Sequence, residues 1–380
     1  MDTAFSHALR IVVCQSCGGA VHGAAEGGKA TCSVCEEAVE LPPRDEAEHG
    51  AGLPVIDEAQ RLARLREQDP SAPALAPAIE PLVHGGELIA DRAADAFTEW
   101  QLSRAALAGG AAVAEDRFYG TTLLLARHMA RQGDDLMLRA VLETALDVLP
   151  SPSRKQVIRG MTAREAARLG DLPASEDWFA PCDPRSYDLH ADSAYRCTAA
   201  YLATVKRKFE GVLTVLGPQA GALPMCDNLD PLCAVLRANA HERLGDLGKA
   251  TAELSSAMER MPDGPELIEQ IVRSHADLAA CRRCYVSARS KIDGSTVIKK
   301  AGKGAAAARA GSPPPPASTR RRALPWMILS VAFLVLYLVT EPASTTSSGQ
   351  RIDVFFFVLA VSFALPVCFL LWKQRRGRKR

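Results

Sequence analysis

The chain reads as mainly α-helical, with a small β module organised by paired cysteines at its N-terminus and two apolar helices near its C-terminus. Three observations carry this reading. From residue 87 onward the sequence is rich in Ala, Leu and Arg, with apolar residues at helical spacing and little strand character. Four cysteines stand as two close pairs, Cys14/Cys17 and Cys32/Cys35. Two apolar runs without a charge, residues 323–340 and 354–372, lie near the end of the chain.

The cysteine pairs come first. Cys14-x2-Cys17, fourteen intervening residues, and Cys32-x2-Cys35 form a four-thiolate pattern. Two residues between cysteines let one tight turn aim both sulfurs at one ion, and Gly18-Gly19 supply permissive backbone after the first turn. Ile11-Val12-Val13 leads into the first pair and Val39-Glu40-Leu41 leaves the second, as short strands do. The pattern resembles a zinc ribbon over residues 10–41. The resemblance implies that Cys14, Cys17, Cys32 and Cys35 bind Zn2+, with Glu36 standing where a glycine often follows the second pair. With so small an apolar core, metal binding would supply most of the module's folding energy. Four thiolates leave no open position for a catalytic water. Residues 1–43 offer Arg10 and Lys29 against five acids, and no aromatic lies between the cysteines, which argues against nucleic acid as the partner.

The ribbon is taken as residues 1–43 and a linker with one short charged helix, near 56–68, as residues 44–86. Four prolines fall between 69 and 81. The helical domain spans 87–293 and contains a repeat. Gly133-Asp134 is followed by Leu138, Leu142, Ala145 and Pro150. Gly245-Asp246 is followed at the same offsets by Ala250, Leu254, Ala257 and Pro262. Gly170-Asp171 and Lys208-Phe209 lie between, so four turns recur at spacings of 37, 38 and 37. The order of turn glycine, small and apolar residues and proline stop resembles the second half of a tetratricopeptide repeat. That resemblance implies stacked helical hairpins, each closing its apolar face on its neighbours. The expected pairs are 115–131 with 135–149, 153–169 with 174–179, 192–206 with 210–216, and 231–244 with 247–261.

Residues 294–322 form a basic tether rich in Pro, Ala and Gly, with prolines at 313–316. The apolar runs that follow, at 18 and 19 residues, would reach roughly 27 and 28 Å as helices, close to the bilayer's hydrocarbon thickness of about 30 Å. Arg320, Arg321 and Arg322 precede the first; Lys373, Arg375, Arg376, Arg378, Lys379 and Arg380 follow the second as a tail, residues 373–380. Positive residues collect on the cytoplasmic side, which places both termini in the cytoplasm of an inner or plasma membrane, with the short loop outside. Residues 294–380 carry fourteen Lys/Arg and two acids, leaving the preceding body acidic. These nine cations are therefore candidates for contact with anionic lipid headgroups. Neither run holds a buried acid or base that would suggest an ion path.

Two further groups stand out. Cys281-x2-Cys284 is a second thiol pair at i, i+3 on a helix, with Arg282 and Arg283 between; it is either core filler or a redox pair. Asp183, Asp188, His190 and Asp192 crowd one stretch and suit helix caps and turns better than a carboxylate site. No phosphate-cradling loop, nucleophile elbow or His-Glu-x-x-His helix occurs, so no enzyme is expected. The expected function is that of a membrane-anchored, cytoplasm-facing adaptor or scaffold for a protein partner. The alternatives are a zinc-ribbon regulator contacting nucleic acid or the transcription or translation machinery, and a membrane-bound redox sensor using Cys281 and Cys284.

Overall fold

A helical hairpin needs one residue that turns the chain sharply and one that caps the next helix. In the computed structural model those two roles recur along the body. The structure describes residues 4–44, 57–71, 75, 77–84, 87–111, 113–261, 264–275, 278 and 281–292. Helix α3 (Ala114–Gln132) ends at Gly133 in the left-handed conformation (φ +72°). Asp134 then caps α4 (Asp135–Val148), accepting a hydrogen bond from the Met137 amide. The same device joins α5 (Pro152–Arg168) to α6 (Leu172–Phe179) through Gly170 and Asp171, and α9 (Asp230–Arg243) to α10 (Leu247–Arg260) through Gly245 and Asp246.

Between these, α7 (Leu189–Val205) turns into α8 (Phe209–Leu216). Here the left-handed residue is Arg207 (φ +58°), and Lys208 occupies the cap position without a side-chain cap bond. The turn therefore lies one residue earlier than the Lys208-Phe209 reading placed it. Left-handed positions 133, 170, 207 and 245 are spaced by 37, 37 and 38 residues. A Cβ in this conformation is strained, and a lysine cannot accept the amide hydrogen bond that Asp accepts elsewhere. Arg207→Gly with Lys208→Asp is accordingly expected to stabilise the chain by about 1–2 kcal/mol. A higher urea midpoint at unchanged slope checks this; an unchanged or lower midpoint would count against the turn assignment.

Successive pairs pack on one another, with α5 against α7 and α7 against α9. Ahead of them, α2 (Ala93–Ala108) packs on α3. Behind them, α11 (Gly264–Ser274) packs on α9 and α10, and residues 281–292 are helical. Among the described residues the helices contribute to two apolar clusters. One gathers Trp100, Phe118, Leu142, Ile158 and Trp178 together with Phe5, Ile11 and Val13 from the N-terminal module. The other gathers Tyr201, Leu236, Leu254, Ile268 and Cys281. The chain is thus mainly helical, with small antiparallel sheets at its N-terminal side.

Two segments that precede residue 87 pack onto the helices. The linker's helix, α1 (Glu58–Arg66), is a docked element. Leu65 is fully buried, and Arg61 donates to Asp192 Oδ1 at 2.7 Å and to the Ser186 carbonyl at 3.0 Å. Gln68 adds bonds to the Tyr187 carbonyl and from the Leu189 amide. The N-terminal module likewise belongs to one compact unit with the helices. The tether, both apolar runs and the nine candidate headgroup cations lie outside the described residues. Among the described residues, no helix is long and apolar enough to cross a membrane.

Candidate metal centre

Two short hairpins build the centre. β1 (Leu9–Val13) pairs antiparallel with β2 (Ala20–Ala24), and β3 (Gly28–Thr31) with β4 (Ala38–Leu41). Each hairpin carries one cysteine pair at its turn, and the two turns repeat the same bonds. The Cys14 amide donates to Gly19 O at 2.8 Å and Gly18 N to Cys14 O at 3.1 Å. In the second turn Cys32 N donates to Glu37 O at 2.9 Å and Glu36 N to Cys32 O at 3.0 Å. Gly18 (φ +77°) and Glu36 (φ +61°) are the matching left-handed residues, so the glutamate does not make the second turn irregular. It accepts the strained backbone that a glycine would adopt freely.

The turns bring four sulfurs together, all within 4.8 Å of one another. Cys14 Sγ stands 3.7 Å from Cys35 Sγ, and Cys17 Sγ 3.5 Å from Cys32 Sγ. Tetrahedral metal–thiolate bonds of about 2.3 Å would separate the sulfurs by about 3.8 Å, so the set fits one ion. The shifts within the cluster are split. The amides of Cys35 and Val34 draw the Cys32 thiol down to about 7, whereas the neighbouring sulfurs, with burial, push Cys35 up to about 12 despite the Glu37 amide and push Cys17 upward although Gly19 N donates to its Sγ at 3.4 Å. Cys14 and Cys32 are buried and Cys17 and Cys35 exposed, so the ion would sit at the module's edge with its coordination closed by sulfur. The four cysteines are positioned to bind a metal ion, and the donor set is consistent with zinc. No other group of three or more His, Cys, Asp or Glu side chains converges in this way among the described residues.

What holds the centre against the helices is a buried charge network that the sequence reading missed. β1 is an edge strand, and its outward amides need partners. Helix α4 supplies them. Ile11 N donates to Glu143 Oε2 at 2.9 Å and Val13 N to Thr144 Oγ1 at 2.8 Å. Glu143 also accepts from Arg139 Nε at 2.8 Å and from Arg44 Nη2 at 2.7 Å. Arg139 donates onward to the carbonyls of Ala4, Ser6 and Leu9. Arg10, with no exposed surface, is paired with Asp147. From α2, Arg104 donates to Val13 O at 3.0 Å and Gln101 to Cys14 O at 3.4 Å. Arg139, Glu143 and Asp147 form an i, i+4, i+8 stripe, which was legible as spacing but reads equally well as a solvated face.

The remaining candidates lie in the helical body. Asp188 caps α7 through the Ala191 amide, Asp183 accepts from the Arg185 amide, and Asp192 pairs with Arg61 and Arg196. His190 belongs to the first turn of α7. Cys281 and Cys284 are buried, Cys281 Sγ lying 3.6 Å from the Val235 carbonyl. Burial pushes both thiols above their ordinary range, opposite to what redox reactivity requires. No protein-family model, curated protein or solved structure significantly matches the chain.

Proposed function

We propose that this chain is a membrane-anchored, cytoplasm-facing adaptor, in which a structural zinc ribbon caps one end of a tetratricopeptide-like helical array. The observation that carries the reading is the docking of the cysteine module onto α4 and α2 through Arg139, Glu143, Arg44 and Arg104. A module tied down in this way serves as the closed end of a stack, which would otherwise expose an apolar helix face. The helix pairs that follow present a long surface suited to capture of a protein segment. Residues 323–340 and 354–372, by their length and flanking cations, support the anchor.

The same docking weakens the nucleic-acid alternative. Arg10 is consumed by Asp147 and Arg44 by Glu143, leaving exposed Lys29 against exposed Glu26, Glu36, Glu37 and Glu40 on the ribbon. That surface repels phosphate. The test is cross-linking of the full-length protein in native membranes, followed by reconstitution with each partner identified. A purified protein partner whose cross-links map to α3–α10 supports the adaptor. Recovery of nucleic acid or lipid alone, or of cross-links confined to the ribbon, would overturn it.

A further inference from the structure

Helix α1 sits on the array through a short patterned stripe. Arg61 and Leu65 are its buried residues, and the rest of the helix is exposed or half-buried. Gln68 follows just past the helix end, so the contact reads Arg, Leu and Gln at i, i+4 and i+7, the spacing of one helix face.

The receiving surface is built from α7 and from the connections that precede α7 and α9. Asp192 Oδ1 accepts from Arg61 Nη1 at 2.7 Å, and the Ser186 carbonyl from the same nitrogen at 3.0 Å. The Tyr187 carbonyl accepts from Gln68 Nε2 at 2.7 Å, while the Leu189 amide donates to Gln68 Oε1 at 2.9 Å. The Asp227 amide donates to Pro70 O at 2.8 Å. An arginine is thus read by a carboxylate with no exposed surface, and an amide side chain by a matched backbone acceptor and donor.

Unlike the attachment of the ribbon, this contact can open without stranding a charge. Asp192 keeps Arg196, whose Nε donates to Oδ2 at 2.8 Å. Arg61 keeps Glu58, bonded through Nε at 2.8 Å and Nη2 at 2.7 Å. Each side retains a counterion after separation, so the large penalty of an uncompensated buried charge is avoided. A helix of nine residues, without a side-chain bond at its Asp57 cap, also has little stability of its own. Its flanks are fixed elsewhere, Arg44 on Glu143 and Ile79 with Leu82 in the first apolar cluster, so α1 can leave while both stay.

We propose that this surface is the array's docking site for a partner helix, and that α1 fills it as an internal competitor. The partner is a protein helix that presents Arg, Leu and Gln at i, i+4 and i+7, because the segment seated on the surface shows what the surface accepts. The inference rests on the adaptor reading and adds which face captures the partner and what that partner must present. Being part of the same chain, α1 competes at high effective concentration, and the partner's apparent affinity falls with the fraction of chains whose site is open.

The probe is a fluorescein-labelled peptide of residues 57–71, added to full-length protein and followed by fluorescence anisotropy. Arg61→Ala/Leu65→Ala, which empties the site, should bind the peptide about tenfold or more tightly than the wild type. Arg64→Ala, on the exposed face of α1, should bind like the wild type. Adding Asp192→Asn to the emptied variant should weaken the peptide by about tenfold or more, each variant being checked for an unchanged helical circular dichroism spectrum. Hydrogen exchange of the wild type keeps the test independent of any variant's folding: amides 62–66 should exchange about a hundredfold or more faster than those in the middle of α7. Equal peptide affinity in the wild type and the emptied variant, indifference to Asp192→Asn, or α1 amides as protected as those of α7 would show that α1 is a fixed strut. Neither readout needs the natural partner, so their failure overturns this inference while the adaptor reading stands or falls on its own cross-links.

Discussion

Stripping the metal from Cys14, Cys17, Cys32 and Cys35 is expected to unfold residues 4–44 and to loosen the first helix pairs with them. An isolated four-cysteine module of this size draws about 10–16 kcal/mol from zinc, because its own apolar core is too small to order the loops. The ribbon's private core is Val12, Cys14, Val21, Cys32 and Leu41. Two of those five are the ligands themselves. Ile11, Val13 and Phe5, in contrast, belong to the cluster that contains Trp100, Phe118 and Trp178. Loss of the ribbon therefore removes part of the cover from α2 and α4, and the damage travels. Hydrogen exchange of the full-length protein with and without a chelator measures this. Protection should fall most in 9–41, clearly in α2 and α4, and least in α9 and α10. Cys32→Ser, whose side chain is fully buried, should reproduce the pattern without a chelator. A metal-free protein with native protection in β1 and α4 would show that packing alone holds the ribbon.

The difference between what was legible in the sequence and what was not follows the range of the interactions. The helix pairs were legible because their signals are local. Gly133, Gly170 and Gly245 turn the chain, Asp134, Asp171 and Asp246 cap the next helix, and the predicted ends fall within a few residues of those observed. The third turn was misplaced by one residue because Arg207 carries no such signal, although its backbone takes the same left-handed conformation. The convergence of the four cysteines was legible because two intervening residues are a geometric demand of one ion on one turn. The attachment of the ribbon was not. Charge spacing on a helix surface looks the same whether water or protein lies above it. Asp246 and Lys249 form an i, i+3 pair with side chains 40% and 69% exposed, whereas Arg139 and Glu143 are 0% and 1% exposed. Only the tertiary fold separates the two cases. Arg10 and Arg61 teach the same lesson: each reads as a surface cation, and each is buried on an acid more than a hundred residues away.

Glu143→Ala should be among the most damaging single substitutions in the helical body. The carboxylate accepts four hydrogen bonds, from Ile11 N, Arg139 Nε, Arg44 Nε and Arg44 Nη2. Alanine leaves an edge-strand amide and two buried guanidiniums without their acceptor. Both guanidiniums also stand against the Trp178 indole, at 4.5 Å for Arg44 and 4.9 Å for Arg139, so neither can swing to water without uncovering that ring. Removing one partner of a buried, hydrogen-bonded charge pair costs about 3–5 kcal/mol, most of it the stranded opposite charge. The full-length protein should lose about that much unfolding free energy in urea, with exchange protection lost in β1 as well as in α4. Glu143→Gln, which keeps one acceptor oxygen and the shape, should cost less. Because the penalty is that of a stranded charge, Arg44→Ala in the Glu143→Ala background should cost much less than Arg44→Ala alone, a coupling of about 0.5–3 kcal/mol. Lys249→Ala, which breaks an exposed pair, should shift stability by less than about 1 kcal/mol. If Glu143→Ala were no worse than Lys249→Ala, the network would be a by-product of packing, and the cysteine module would be held on the helices without it.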